Sequence, residues 1–433
     1  METRKPDALA GYQANLLRFF LFTWLRSFHL WMPIWLVFLQ DRGLTLAQVG
    51  VLDAAGWVLQ STAELPTGAL ADGYGRRLSM ALGALLLGVG LLAVQAEPFS
   101  VPFLVGYMLW GVSHTFIGGA DSAFLYDSLK AAGREDEYPR RAGQYTAVIW
   151  GAQATAAVAG GLLAAMEPSL CFTVSAALAL GAAGVALTFR EPPGGGPPSG
   201  RRGRAFVGTL RGGMVFAART PQVRYPLFLG ALIGTFSFFL AFMVLQPYAR
   251  AAGIPYPAFG VLVLAARAFG VAGALSVGWA RTRVSGLTAG VAASGIMAGC
   301  LGVMALGPAV WGLFPLPVAT GTAGLVRPLL SHEVNRWTPA FQRATVLSAE
   351  GFLFTAILVV LDPLAFAAAD RFGLPAALGL MAGAFSLLAT PLLVGWYRGL
   401  RPGKVPRAGR SRRLRGSRGG PPLPGAEAFA VWS

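Results

Sequence analysis

The chain has 433 residues, 55% of them hydrophobic and 12% charged, with a formal net charge of +16. Soluble globular domains carry about 25% charged residues, so a water-soluble fold cannot hide this much apolar surface and lipid must be the solvent for most of it. The apolar runs recur along nearly the whole length, which excludes a signal peptide followed by a soluble domain, and Arg and Lys gather on alternate connections rather than on one nucleic-acid-binding face.

A spanning helix needs about 20 mostly apolar residues. Such segments are predicted at 14–39, 46–67, 78–96, 101–128, 144–166, 169–189, 224–249, 258–280, 284–307, 309–331, 344–369 and 374–397. They amount to about twelve crossings, all helical, because lipid offers no partner for free backbone groups. One set of connections holds Arg4 and Lys5, then Arg76 and Arg77, then Lys130, Arg134, Arg140 and Arg141, then Arg190 through Arg224, Arg281, Arg283, Arg336 and Arg343, and the tail from Arg398. The opposite set holds only Arg42, Arg250 and Arg371. The positive-inside rule then places both termini in the cytoplasm of a multi-pass inner-membrane protein.

The segment 190–222 interrupts the hydropathy. Its start, Glu191-Pro192-Pro193 to Gly200, reads as a flexible linker. Arg204 to Thr220 mixes arginines with Phe206, Leu210 and Phe216 and reads as a short helix on the inner leaflet. The predicted organisation is a six-helix bundle over 1–189, a cytoplasmic linker over 190–222, a second bundle over 223–398 and a basic, disordered tail over 399–433. The halves echo one another: Gly118-Gly119-Ala120-Asp121 in helix 4 answers Gly321-Thr322-Ala323-Gly324 in helix 10, the internal repeat of many secondary transporters.

No catalytic constellation emerges. Cys171 and Cys300 lie in apolar segments and imply neither a disulfide framework nor a thiolate metal site. The three histidines are too scattered for a zinc pattern, and there is no phosphate-cradling loop or nucleophile elbow. An enzyme, a resident metal and a cofactor are not expected.

Between the second and third segments stands Gly68-Ala69-Leu70-Ala71-Asp72-Gly73-Tyr74-Gly75-Arg76-Arg77. Gly68 and Gly75 suit close helix approach and a tight turn. Asp72 can cap free N–H groups or face the positive end of a neighbouring helix. Arg76 and Arg77 anchor the turn at the cytoplasmic surface, with Asp127 at the inner end of helix 4 as the partner of Arg76. The stretch resembles the loop signature G-x-L-A-D-x-x-G-R-[RK] between helices 2 and 3 of major facilitator superfamily transporters, at every specified position. The resemblance implies two pseudo-symmetric six-helix bundles around a central cavity. It also implies a cytoplasmic latch in which Asp72 meets the region from Arg343 to Leu347 and Arg76 pairs with the helix 4 acid. In the second half the matching turn Gly278 to Arg283 lacks the acid, and a pair between Arg283 and Glu333 is expected instead. The run His114-Thr115-Phe116-Ile117-Gly118-Gly119-Ala120 is similar to the helix 4 pattern of the drug:proton antiporter branch, with His in place of Arg.

Charges at membrane depth cost at least about 2.5 kcal/mol each, so they mark function by default. Helix 1 carries Arg26 and His29, which share one face with Arg18 and Pro33 at about 100° per residue. Trp24, Phe28, Trp31, Trp35 and Phe38 form the opposite face, expected against lipid or neighbouring helices. Helix 2 carries Asp53 and Glu64, helix 4 carries His114 and Asp121, and Arg267, Arg327, Glu350 and Asp362 come from helices 8, 10 and 11. At about 1.5 Å per residue, Asp53, Arg267 and Asp362 share one depth, about 10–13 Å below the outer ends of their helices. Helices 2 and 11 are neighbours in the superfamily fold, so Asp53 and Asp362 can approach and share a proton; neutralisation of one of them by Arg267 is the alternative. His29 and His114 are further candidates for proton handling. The central basic residues can bind an anionic group or pair with Asp121 or Glu64.

The function expected is secondary active transport: proton-coupled efflux of small amphipathic compounds by a monomer. A uniporter or uptake carrier for an organic anion is the alternative, and a non-transporting membrane sensor the alternative from another class.

Overall fold

Capping chemistry starts several of the helices. Thr45 accepts from the Gln48 backbone N–H while the Gln48 side chain reaches back to the Thr45 N–H, a reciprocal capping box. Ser100 and Ser285 play the simpler part, each accepting from the N–H three residues on. The computed structural model describes residues 6–192, 213–339 and 342–400, and every regular element among them is helical.

The first bundle comprises α1 (Pro6–Ser27), α2 (Trp35–Asp41), α3 (Leu46–Tyr74), α4 (Arg76–Ala93), α5 (Val101–Ile117), α6 (Ala120–Ala131), α7 (Tyr138–Ala164) and α8 (Pro168–Leu187). After the short helix α9 (213–219), the second comprises α10 (Pro221–Phe238), a π-helical turn Phe239–Val244, α11 (Leu245–Ala251), α12 (Tyr256–Leu275), α13 (Val277–Arg281), α14 (Gly286–Met304), α15 (Pro315–Trp337), α16 (Arg343–Phe372) and α17 (Leu374–Gly399). Ten of these rods are long and apolar enough to cross a membrane on length and composition alone. The other two crossings are the broken pair α1–α2 and α3, which carries Asp53, Glu64 and Asp72. The fold is thus an all-α membrane architecture of two pseudo-symmetric six-helix bundles. Residues 193–212 and 401–433 lie outside the described residues, and with them most of the expected linker, the start of its surface helix and the basic tail.

The bundles meet along two equivalent seams: α3 packs on α16, and α7 on α12. The polar links between them gather at the end opposite Arg76. There Asp41 pairs with Arg250 at 2.5 Å and accepts from the Tyr256 hydroxyl. Asp370 accepts from the Leu46 and Ala47 N–H groups, capping α3 across the seam. Gly260 of α12 lies so close to α7 that a Cβ there would stand 2.1 Å from the Ala157 carbonyl oxygen.

Crossing 1 is broken between Ser27 and Trp35, at the only proline of that stretch, Pro33. The freed backbone groups need partners in lipid and find them on other helices. Ser175 accepts from the Leu30 N–H at 3.0 Å; Gln246 of α11 accepts from the Leu36 N–H at 2.8 Å and donates to the Met32 carbonyl at 3.0 Å. The aromatic stripe packs inward here: Trp31 and Trp35 are buried edge-on against Trp110, while Trp24 is exposed.

Three expectations need correction. The turn expected over 68–77 is almost all helix. α3 runs on to Tyr74 and α4 begins at Arg76, with only Gly75, at φ +97°, turning the chain. Gly68 consequently meets no close neighbour, and Asp72 falls in the last turn of α3 rather than at a helix start. The second correction concerns the repeat: crossing 4 breaks at Gly118–Gly119, whereas α15 runs unbroken through Gly321–Gly324. Third, Arg283 stacks on Trp279 and donates to its carbonyl, and makes no pair with Glu333.

Candidate functional site

The charges sort into four groups. At the basic end, Arg76 of α4 forms an ion pair with Asp127 of α6 and donates to the Ala123 carbonyl. The Asp72 side chain lies outside the described part of the structure, so its expected contact with 343–347 has no geometry. The free N–H groups of α4 are capped instead by Glu191, whose two oxygens accept from the backbones of Arg76 at 2.8 Å and Arg77 at 2.9 Å. Glu191, which stands at the start of the expected linker, therefore caps α4; an acid just beyond the last apolar residue of helix 6 is the sequence signal for it. Arg77 in turn donates to the Phe189 carbonyl at 3.3 Å. Glu191→Ala should cost about 1 kcal/mol of stability, read as a lower thermal midpoint of the purified protein, with Glu191→Gln recovering part of it.

Inside the first bundle, Gly119 at φ +80° restarts crossing 4 so that Asp121 stands in the first turn of α6, where a carboxylate suits the positive helix end. Asp121 is buried and accepts from the Tyr145 hydroxyl and from Arg26 at 3.1 Å; Tyr145 also accepts from Arg26 at 3.0 Å. Tyr145 was not foreseen, because an aromatic in an apolar run carries no charge signal. The shared face expected for Arg26 and His29 does not exist, since α1 ends at Ser27 and the angular step of 100° per residue ends with it. His29 packs on Trp31 and edge-on to His114, with its Nε2 buried and without a partner. Arg26 is thus neutralised within the first bundle. Asp121→Asn leaves a buried guanidinium uncompensated and should cost about 3–5 kcal/mol, whereas the double change Arg26→Met with Asp121→Leu should be tolerated. Thermal unfolding of the two variants side by side distinguishes them.

The third group lies on the seam between bundles. Asp53 of α3 accepts from Trp57 Nε1 at 2.7 Å and from the Tyr107 hydroxyl at 3.2 Å. Asp362 of α16 faces it, fully buried, with Asp53 and Trp57 beside it. Trp57 stands four residues from Asp53 on the same helix, a spacing that makes the two side chains neighbours. Arg267 does not neutralise either acid: it donates to Gln153 Oε1 of α7 at 2.5 Å and points at Met32 Sδ at 3.1 Å. Glu64, three turns along α3, is exposed and joins none of the described ion pairs.

The fourth group lines a cavity of about 610 Å³ set mainly in the second bundle, the size of a small-molecule site. Arg267 forms part of its wall, and Arg327 pairs with Glu350 at 3.1 Å across it. Apolar faces come from Phe238, Phe242 and Phe354. The π-helical turn adjoins Phe238 and contains Phe242; such turns often mark functional sites. Phe238 and Phe242 stack on one another and form the shared wall with a smaller chamber of about 130 Å³ that contains Asp53, Tyr107, Trp57 and His114. The chamber that holds Asp53 and the larger cavity therefore share an aromatic wall.

A sequence model described as Major Facilitator Superfamily matches residues 17–361. Among solved structures, a mutant of the nucleoside transporter NupG superposes with a TM-score of 0.67 at 14% identity, covering 88% of this chain and 99% of that one. A mutant of the peptide transporter POT gives 0.67 at 14%, covering 92% and 99%. A bacterial homologue of the human lysosomal transporter Spinster, in an inward-facing and unoccupied conformation, gives 0.63 at 18%, covering 92% and 93%. Identities this low speak for the fold alone. The curated proteins offer no match.

Proposed function

Because the chain belongs to the major facilitator superfamily, we propose that it is a proton-coupled secondary transporter in which Asp53 and Asp362 carry the proton and the neighbouring cavity carries the solute. The observation that bears this reading is the facing pair of carboxyl groups with no described cation beside it. Two ionised carboxylates in contact repel strongly, and one proton held between them removes the repulsion. The pair sits on the α3–α16 seam, at the end where the bundles are joined. When the bundles part there, the acids separate, each gains water, and the proton is free to leave. Closing that seam then requires a proton to be taken up. Proton movement and rocking become one event.

The alternation of basic connections supports placing both termini, the Arg76 turn and Asp127 on the cytoplasmic side of the inner membrane. The bundles are then joined at the outer end in the state described here. Asp41, Arg250, Tyr256 and Asp370 act as the outer latch, and Arg76 with Asp127 belongs to the inner one. Export of amphipathic compounds against inward proton flow is the direction we assign, with one monomer as the working unit. The test is transport by reconstituted vesicles of known orientation carrying a lumenal pH dye. Solute flux accompanied by proton flux of the opposite sense fits this reading; flux that leaves lumenal pH and membrane proton conductance unchanged refutes it.

A further inference from the structure

The large cavity holds one positive charge more than it can neutralise. Of the residues that line it, Arg267 and Arg327 are cations and Glu350 is the sole acid. Arg327 holds Glu350 at 3.1 Å, resting over Gly234, and so is compensated. Arg267 has no carboxylate within ion-pair distance among the described residues. Its partners are an amide oxygen and a thioether, Gln153 and Met32, and a guanidinium stays charged in any protein setting. A cation held at membrane depth without a counter-charge is costly to keep. The remaining wall is apolar and aromatic, from Phe238, Phe242, Phe354 and Val263.

We infer that the cavity binds an amphipathic organic monoanion, its carboxylate on Arg267 and its apolar body against Phe238, Phe242 and Phe354. The planar fork of a guanidinium matches a carboxylate with two parallel N–H donors. The inference rests on the transport reading for its biological sense and names the class of solute. It also gives the solute a lever. Both present partners of Arg267 belong to the first bundle, while Arg267 belongs to the second. A carboxylate that takes the place of Gln153 removes a link between bundles, so occupancy changes the balance of the two conformations.

The experiment is calorimetric titration of the protein in lipid nanodiscs, at neutral pH and without a proton gradient, with naphthoate, naphthamide, naphthylmethylammonium and octanoate. Naphthoate and octanoate should bind, naphthamide about tenfold or more weakly than naphthoate, and the ammonium not at all. Arg267→Gln should weaken naphthoate about 30-fold or more and leave naphthamide within about twofold. Headgroup-independent binding, no binding of either carboxylate, or naphthoate affinity unchanged in Arg267→Gln would each overturn the inference. The comparison of headgroups on the unmodified protein decides the matter even where the variant does not fold. Loss of proton coupling with carboxylate binding intact would refute only the role given to Asp53 and Asp362.

Discussion

Vesicles carrying Asp362→Asn should accumulate no solute under an imposed pH gradient, while solute exchange across them at equal pH continues. The size of the effect follows from the gradient. One pH unit is worth about 1.4 kcal/mol per proton, which at one proton per solute supports about tenfold accumulation. The amide has no proton to exchange, so the driven component falls to nothing. A merely structural role for Asp362 predicts a different outcome, namely loss of folded protein. Here the two are separable. Asp362 is fully buried beside Asp53 and Trp57. An amide keeps the shape of the carboxyl group and a hydrogen bond to Asp53 while losing the exchangeable acid proton. Asp362→Asn should therefore stay folded, with a thermal midpoint near that of the unmodified protein, while abolishing coupling. Asp53→Asn contrasts with it, because Trp57 and Tyr107 donate to Asp53. That change should cost about 1–2 kcal/mol of stability as well as coupling. Tenfold accumulation retained by Asp362→Asn would end the proposal that the acid pair carries the proton.

The contrast between these two acids shows what a sequence of this kind discloses. Depth along each helix follows from counting residues at a fixed rise, so Asp53 and Asp362 could be set at one level from sequence. Their facing each other needed one further fact, the adjacency of helices 2 and 11, which came from a family resemblance rather than from periodicity. Arg76 and Asp127, by contrast, are legible as partners from their opposite charges at the inner ends of neighbouring segments. What stayed hidden were contacts between distant, weakly marked residues. Gln246 stitches the broken crossing 1 from 210 residues away, and nothing about a glutamine in an apolar run announces it. Glu191 caps a helix 115 residues before it. The helical face drawn through Arg26 and His29 failed for a different reason. A period of 3.6 residues presumes an unbroken helix, and Pro33 lies within a break that periodicity cannot locate. Charge counts alone also left Arg267 interchangeable with Arg26. Only the pairing of Arg26 with Asp121 and the neutral partners of Arg267 separate a neutralised cation from an uncompensated one.

Gly260→Leu should hold the transporter open at the end that is closed here and stop turnover. In the closed seam a Cβ on Gly260 would stand 2.1 Å from the Ala157 carbonyl oxygen and 2.6 Å from its carbon. Those atoms are backbone within α7, so no rotamer change relieves the overlap, and α12 must move away. Overpacking of this kind costs about 1–3 kcal/mol where neighbours can give, enough to tilt a two-state balance by about 10- to 100-fold. The strain exists only while the seam is shut, so it acts on the conformational equilibrium rather than on folding as a whole. Spin labels at Phe99 and Trp311, both exposed on connections at the closed end, should move apart in the variant. Labels at Lys130 and Arg336, exposed at the basic end, should draw together. Gly181→Leu is the control, because a Cβ there meets nothing within 4 Å, and it should transport as the unmodified protein does. Gly260→Leu with unmoved label distances and normal turnover would mean that the α7–α12 contact is not the hinge of the alternation, and the reading of the Asp41 end as a gate would fall with it.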